Sequence, residues 1–468
     1  MNDEARMTKE CRSPNSERRA PAFCGFVFRI SDFIRHSGFD IRLSLRCVSV
    51  RCVSVLCVSV PLWFAPGLFC AQTGAAEWPR FRGPNGDGHA PAIDVADPWT
   101  EQDYRWKADL PGVGNSSPVI SGKLLVVTSG ESNQNKLYVL AFDAENGHRK
   151  WQTELDSPPL RMHVRNSIAT STPAVDADRV YVTGMGAQGY FMAALSLADG
   201  REAWRKELGP FAAQHGFGPS PMLYRNTLIV PNDQDGESFV LALDAATGKE
   251  RWRAPRRGGR ASYSTPCVHE PPGRKAELIL TSSENGMAGI DLETGKPNWS
   301  LDVFPERTVG SPVVAGDLVL ATCGQGNGGH LLVAVAPPQV AGGKANVVYT
   351  LTQSVPYVPT PVVRDNLLFL IHDMGMASCH DLATGKRLWN KRLGGNFSGS
   401  PVLAGDRLFA ITSDGEVVVL AAQRQFKEPT RTSLGQTSRA TPAVALGHIY
   451  LRTQSKLFCL GGSAVASK

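Results

Sequence analysis

The chain has 468 residues, with 49 Lys/Arg against 43 Asp/Glu and a formal net charge of +6 at pH 7. Residues 1–71 hold 10 of those bases and 6 of the acids, so the remaining 39 against 37 give only +2, too even for the strongly basic footprint of a nucleic-acid partner. With 42% hydrophobic residues, 46 Gly and 32 Pro, the chain beyond its leader reads as one large globular domain, although length alone would suggest two or three.

Residues 1–76 read as a leader. An apolar stretch from Cys52 to Phe69, preceded by Arg46 and Arg51 and followed by small residues, has the form of a secretory signal. Export to the periplasm or cell envelope is therefore expected. The segment before it is long for a charged n-region, and a low-complexity Cys-Val-Ser-Val repeat runs through residues 47–60, which suggests a true start near Leu45. Lipidation at Cys70 would tether the protein to a membrane, but Leu68 and Phe69 are a poor match to the small residues such a site wants. Cleavage near Gly74 to Ala76 and soluble export is the preferred reading. Residues 77–99 form a lead-in segment, 100–462 the repeat domain and 463–468 a tail.

The repeat domain is written as an array. Eight times a Ser or Thr directly precedes a proline that opens an apolar, β-branched run, at Pro118, Pro173, Pro221, Pro266, Pro312, Pro361, Pro401 and Pro442. The gaps are 55, 48, 45, 46, 49, 40 and 41 residues, the period of a four-stranded blade and too long for ankyrin or tetratricopeptide units. Proline opening a strand does no harm to the ladder, and alternating runs such as Arg179 to Thr183 predict half-buried strands. A Gly-x3-Trp pattern recurs at Gly147/Trp151, Gly200/Trp204, Gly248/Trp252, Gly295/Trp299 and Gly385/Trp389. Its glycine supplies the positive φ of a tight hairpin turn.

Two units depart from this grammar. The fifth has Ala336 to Gly343 (APPQVAGG) in place of the Asp-Thr-Gly turn and Tyr349 in place of Trp, and the seventh has Thr430 there. The eighth lacks a Trp-bearing fourth strand, whereas Tyr104 to Leu110, carrying Trp106, is an orphan strand of that type. An all-β, eight-bladed β-propeller follows, its N-terminal strand completing the last blade and removing exposed edges.

The chemistry-bearing motifs are sparse. Cys267, Cys323, Cys379 and Cys459 are scattered through separate blades, with no Cys-x-x-Cys and no adjacent pair. Asp233 and Asp235 have the Asp-x-Asp-Gly spacing of a calcium loop but lack its later bidentate Glu, so a polar turn is preferred to a metal site. The run Lys249 to Arg260 reads as a solvated rim. Crossovers between blades line one mouth of a propeller channel, and there the sequence places Asn115, His163, Arg165, Asn166, His215, Arg260, Tyr263, Glu306, Arg307, Tyr357, Asn396 and Arg439 as candidates for binding a ligand or partner. The longest crossover, Leu155 to Thr172, exceeds the length at which loops tend to be functional. His163 and Arg165 suit an anionic, sugar-like or peptide-carboxylate ligand; the alternative is that Arg165 and Asn166 only satisfy loop backbone. Catalytic residues are not identified.

With the Ser/Thr-Pro-Val openings, the Leu-Asp-x-x-Thr-Gly-Lys turns and the closing Trp in place, residues 100–460 resemble the pyrroloquinoline-quinone (PQQ)-type propeller repeat family. The lead-in Trp78 to Gly88 (WPRFRGPNGDG) and Arg165 to Pro173 are similar to secreted members of planctomycete-type bacteria. The resemblance implies that Trp106, Trp151, Trp204, Trp252, Trp299 and Trp389 dock neighbouring blades. It includes both non-catalytic propellers of outer-membrane β-barrel assembly and quinoprotein alcohol dehydrogenases, the latter needing PQQ, Ca²⁺ and a vicinal disulfide that this chain lacks. The expectation taken forward is an exported, monomeric, non-catalytic binding or scaffold propeller without cofactor, with a protein partner or small ligand at its mouth. The alternative is a PQQ- and Ca²⁺-dependent dehydrogenase.

Overall fold

The structure, a computed structural model, describes residues 77–158, 162–326, 328–340 and 342–462. The leader, the proposed start, Cys70 and the tail lie outside them. The described chain folds as an eight-bladed propeller of antiparallel sheets, with one 3₁₀ turn at Glu101–Asp103. Each blade runs outward from a short inner strand, for example Met222–Tyr224, Thr227–Asn232, Ser238–Asp244 and Glu250–Arg256 in blade three. The eighth sheet is Ala443–Ala445, His448–Arg452 and Lys456–Leu460, closed on its outer side by Tyr104–Asp109. The apolar middle strands are sealed between blades: Leu228, Ile229, Val240 and Leu241 are inaccessible to solvent.

The Ser/Thr-Pro repeats are explained by a belt around the channel. The N–H of Ser117 donates to Thr172 Oγ1 (2.9 Å), Thr172 to Ser220 Oγ (3.0 Å), Thr265 to Ser311 Oγ, Ser311 to Thr360 Oγ1 and Thr360 to Ser400 Oγ (3.0 Å each). Ser400 donates to Thr441 Oγ1 (2.9 Å), and Thr441 to Ser117 Oγ (3.2 Å), joining the last blade to the first. At seven of the eight junctions, all but Ser220 to Thr265, a hydroxyl one position before a proline thus satisfies the amide that the preceding blade would otherwise bury unpaired.

The lead-in fills the channel beside the inner strands. Trp78 forms a bridge with Ile120 in blade one, and Pro79 O accepts from Val175 N in blade two. The Asn85 side chain pairs with both the N–H and C=O of Val268 in blade four (3.0 and 2.9 Å). His89–Ala90 then adds a parallel strand to Val402–Ala404, so blade seven has five strands rather than four. Arg80 and Arg82 are 2% and 0% exposed. Arg80 Nη1 donates to Pro266 O (3.0 Å), and Arg82 Nη1 and Nη2 donate to Pro401 O (2.7 Å) and Pro361 O (2.9 Å). The repeat prolines therefore present their carbonyls to the plug. Burial pulls the two guanidiniums down to about 10 and about 9, still charged at neutral pH.

The blade-end aromatics dock successive blades. Indole Nε1 of Trp106, Trp151, Trp204 and Trp252 donates to Ala144 O, Leu197 O, Ala245 O and Leu292 O in the following blade (2.8–3.1 Å). The turn glycine of that blade lies on the ring: at Gly295 (φ +71°) a Cβ would sit 2.5 Å from Trp252. Tyr349 makes the same reach to Leu382 O and Trp389 to Gln423 O. Trp299 faces blade five, where the Asp-Thr-Gly turn is missing, and donates instead to Glu277 Oε2 in its own blade (3.1 Å).

Candidate functional site

In each blade the first strand leaves the crossover face, the second returns to it, and the hairpin between second and third strands therefore shares that face with the crossovers. The mouth is built from both sets of loops. His163, His215, Tyr263, Arg307 and Tyr357, from five successive crossovers, form an arc across it. The rings of His163 and His215 meet edge-on at 5.3 Å, and His215 lies 6.4 Å from Tyr263. Arg307 is 8% exposed, held by Nε to Ala261 O (3.1 Å) and Nη2 to Gln214 Oε1 (3.2 Å). Burial lowers His215, with Arg307 and His163 adding to the effect, and pushes Tyr263 up to about 12.

The other candidates divide between framework and rim. Asn166 spends its amide on main chain, Nδ2 donating to His215 O and Phe217 O (2.9 Å each) and Oδ1 accepting from Ser167 N. Asn115 Nδ2 donates to Arg165 O (3.2 Å). Arg260 is paired with Glu306 (2.6 Å), which also accepts from Gln325. Asn396 is exposed, its carbonyl accepting from Ser413 N. Arg439 lies close to Arg165; burial first, and then that neighbouring charge, lower its pKa, and its Nε is buried without a partner.

Sequence reasoning missed His330, His372 and Asp373, which enter from strand starts and hairpins rather than crossovers. Following strand direction to the mouth would have found them. Their ligand atoms lie within 4.8 Å of one another, but each is engaged. His330 Nε2 meets Gln325 O (2.9 Å), and its Nδ1 meets Val355 O (2.9 Å) and His372 Nε2 (3.1 Å). His372 Nδ1 accepts from Met374 N (3.0 Å), and Asp373 takes Tyr357 N (2.7 Å) and Val358 N (3.1 Å).

The Asp233 and Asp235 carboxylates are already engaged and do not form a calcium site. Both oxygens of Asp233 accept from Arg256 (2.6 and 3.1 Å), so a cation there would compete with a buried guanidinium, and Asp235 Oδ1 accepts from Ala261 N (2.9 Å). The hard-oxygen cradle that Ca²⁺ requires is not assembled from the described carboxylates, and the four described cysteines are buried free thiols.

The family model described as outer membrane protein assembly factor BamB matches residues 101–189, 191–339 and 352–466. The outer membrane protein assembly factor BamB of Burkholderia pseudomallei (strain K96243) is 25% identical over 376 residues, spanning 78% of this chain and 87% of that protein. Among solved structures, BamB from Moraxella catarrhalis is similar at a TM-score of 0.53 and 15% identity, over 81% of this chain and 99% of that one. A quinohemoprotein alcohol dehydrogenase from Comamonas testosteroni is similar at 0.60 and 13%, over 84% and 82%. At these identities the solved structures share the fold, and a shared propeller does not imply a shared chemistry.

Proposed function

Because the chain belongs to the outer membrane protein assembly factor BamB family of PQQ-like propellers, we propose that it is an exported, non-catalytic propeller that holds a protein partner during envelope protein assembly. The observation that carries this reading is the composition of the mouth face. Val113, Val164 and Met374 stand 42%, 89% and 64% exposed there, on a face that also carries Arg165 and Arg439. Apolar anchors among unneutralised cations favour a protein surface with acidic and apolar groups, since such complementarity steers association and the anchors hold it. His163, His215, Tyr263, Arg307 and Tyr357 would supply the floor of that contact.

The test is a photo-crosslinking residue placed at Val164 in cells, compared with one at Thr247 on a turn of the opposite face. The reading expects a discrete envelope protein joined at 164 and not at 247, with the adduct reduced at least tenfold by R165E/R439E. Equal labelling at both positions would sink it. The dehydrogenase alternative is tested separately by titrating PQQ with Ca²⁺. No change in melting temperature is expected, whereas a saturable rise, as mass action demands of a native-state ligand, would reinstate it.

A further inference from the structure

The eight outer strands act as controls for one another. Seven present residues that discourage a new strand: Tyr104–Asp109 carries Arg105, Lys107 and Asp109, and Arg149–Asp156, Glu202–Gly209, Glu250–Arg256, Arg387–Arg392 and Thr430–Ser433 are likewise charged. Pro297–Leu301 is short and opens with proline. Charge and proline are the usual protections of a sheet edge. Blade five's outer strand Asn346–Leu351 (NVVYTL) has neither.

Its difference is positional. Each outer strand from blade one to blade six bulges just before its aromatic residue. At the paired position ahead of the bulge, blades one, two, three and six have Arg149, Glu202, Glu250 and Arg387, where blade five has Val347. The bulged residue is Lys150 in blade one and Arg251 in blade three, where blade five has Val348. Val347 and Val348 are 43% and 47% exposed, and Val340, in the loop that replaces the regular turn, is 67% exposed. The departure from the repeat thus leaves a bare apolar edge whose outward amides and carbonyls have no strand beside them among the described residues.

We propose that this edge is a strand-accepting site, taking an extended, uncharged segment with apolar residues at alternate positions from a protein that has not yet folded. Main-chain pairing would give the affinity and the valines the selectivity. A second copy is the weaker occupant: six residues span about 20 Å, and two such edges bury well short of the ~1,200 Å² that stable pairs need. A transient client strand requires no more. The inference rests on the reading of the protein as a partner-binding propeller, but uses a surface separate from the mouth.

The probe is a capped ten-residue peptide of alternating Val and Thr, with a control of the same sequence whose alternate amides are N-methylated. Fluorescence anisotropy reads binding, and amide hydrogen exchange locates it. Saturable binding is expected, with protection confined to residues 346–351, at least tenfold weaker binding by the methylated peptide and by V347K/V348K, and binding retained by V347T/V348T. Equal binding of the methylated peptide, or indifference to the lysines, would overturn the proposal. So would a peptide-free dimer that the lysines dissociate, which would assign the edge to a second copy. The Val164 crosslink does not involve blade five, so either reading can fail alone.

Discussion

A single hydroxyl carries more of this fold than its exposure suggests. Thr360 is 2% exposed, accepts from Ser311 N and has its own N–H satisfied by Ser400. Thr360→Val keeps the shape and strands a buried amide, so it should cost about 1–3 kcal/mol, while Thr360→Ser should stay within about 1 kcal/mol of wild type, both read by urea denaturation. Glu277 poses the charged version of the problem. Burial alone would raise its carboxyl, but bonds from His269, Asn298 and Trp299 outweigh burial and leave it below 4.5. Its stabilisation is therefore present above the unfolded value and lost as pH falls through the folded one. His215, His372, His380 and His448 are lowered from 6.5 chiefly by burial. The unfolded chain binds those protons first, so stability should begin to fall as pH drops through about 6.5 and fall again below about 4.5. A melting-temperature profile from pH 8 to 2.5 checks both steps, and H380Q, which removes one buried imidazole, should flatten the first.

At the scale of elements, the plug is the part that sequence grammar did not reveal. The period, the turns and the docking aromatics were legible because each repeats with fixed spacing and each has a local cause. The lead-in occurs once, so its register against blades one, two, four and seven had no internal copy to expose it. Its only signal was Trp78 to Gly88, rich in arginine and glycine where a tether needs neither. The same limit hid the hydroxyl belt's purpose: Ser or Thr before proline was visible eight times, but its acceptor role lies about 45 residues away, on the neighbouring blade. Arg82→Met tests the plug. It leaves Pro361 O and Pro401 O unpaired in a buried setting and removes a cation already taken out of water, so a loss of about 2–4 kcal/mol is expected. Gly88→Ala should act in the same direction, since its Cβ would lie 2.7 Å from Arg82 Nη2 at a φ of +75°. If both variants melt with wild type, the segment merely rests in the channel.

For the whole molecule, the question is what makes eight similar blades one unit rather than a chain of semi-independent sheets. Nearest-neighbour repeats with free ends fray, and here both ends are removed by joining sequence-distant strands. Tyr104–Asp109 pairs with Lys456–Leu460, and Trp106 from that strand reaches forward to Ala144 O in blade one. The same strand therefore completes the last blade and docks it to the first. The closing position was readable from the sequence, because an orphan Trp-bearing strand and a blade missing one are complementary facts. Deleting residues 77–109 should expose the edge of Lys456–Leu460, whose Leu457, Phe458, Cys459 and Leu460 are buried in the closed ring. An apolar, unpaired edge of that kind templates association, so the truncated protein should elute as oligomers and melt well below the intact chain. Adding a peptide of residues 100–112 in trans should restore part of the monomer and raise the melting temperature as its concentration rises, and a W106A version of the peptide should do so more weakly. If the truncation instead stays monomeric and melts unchanged, the ring is held by its hydroxyl belt and blade packing alone, and the shared strand is dispensable.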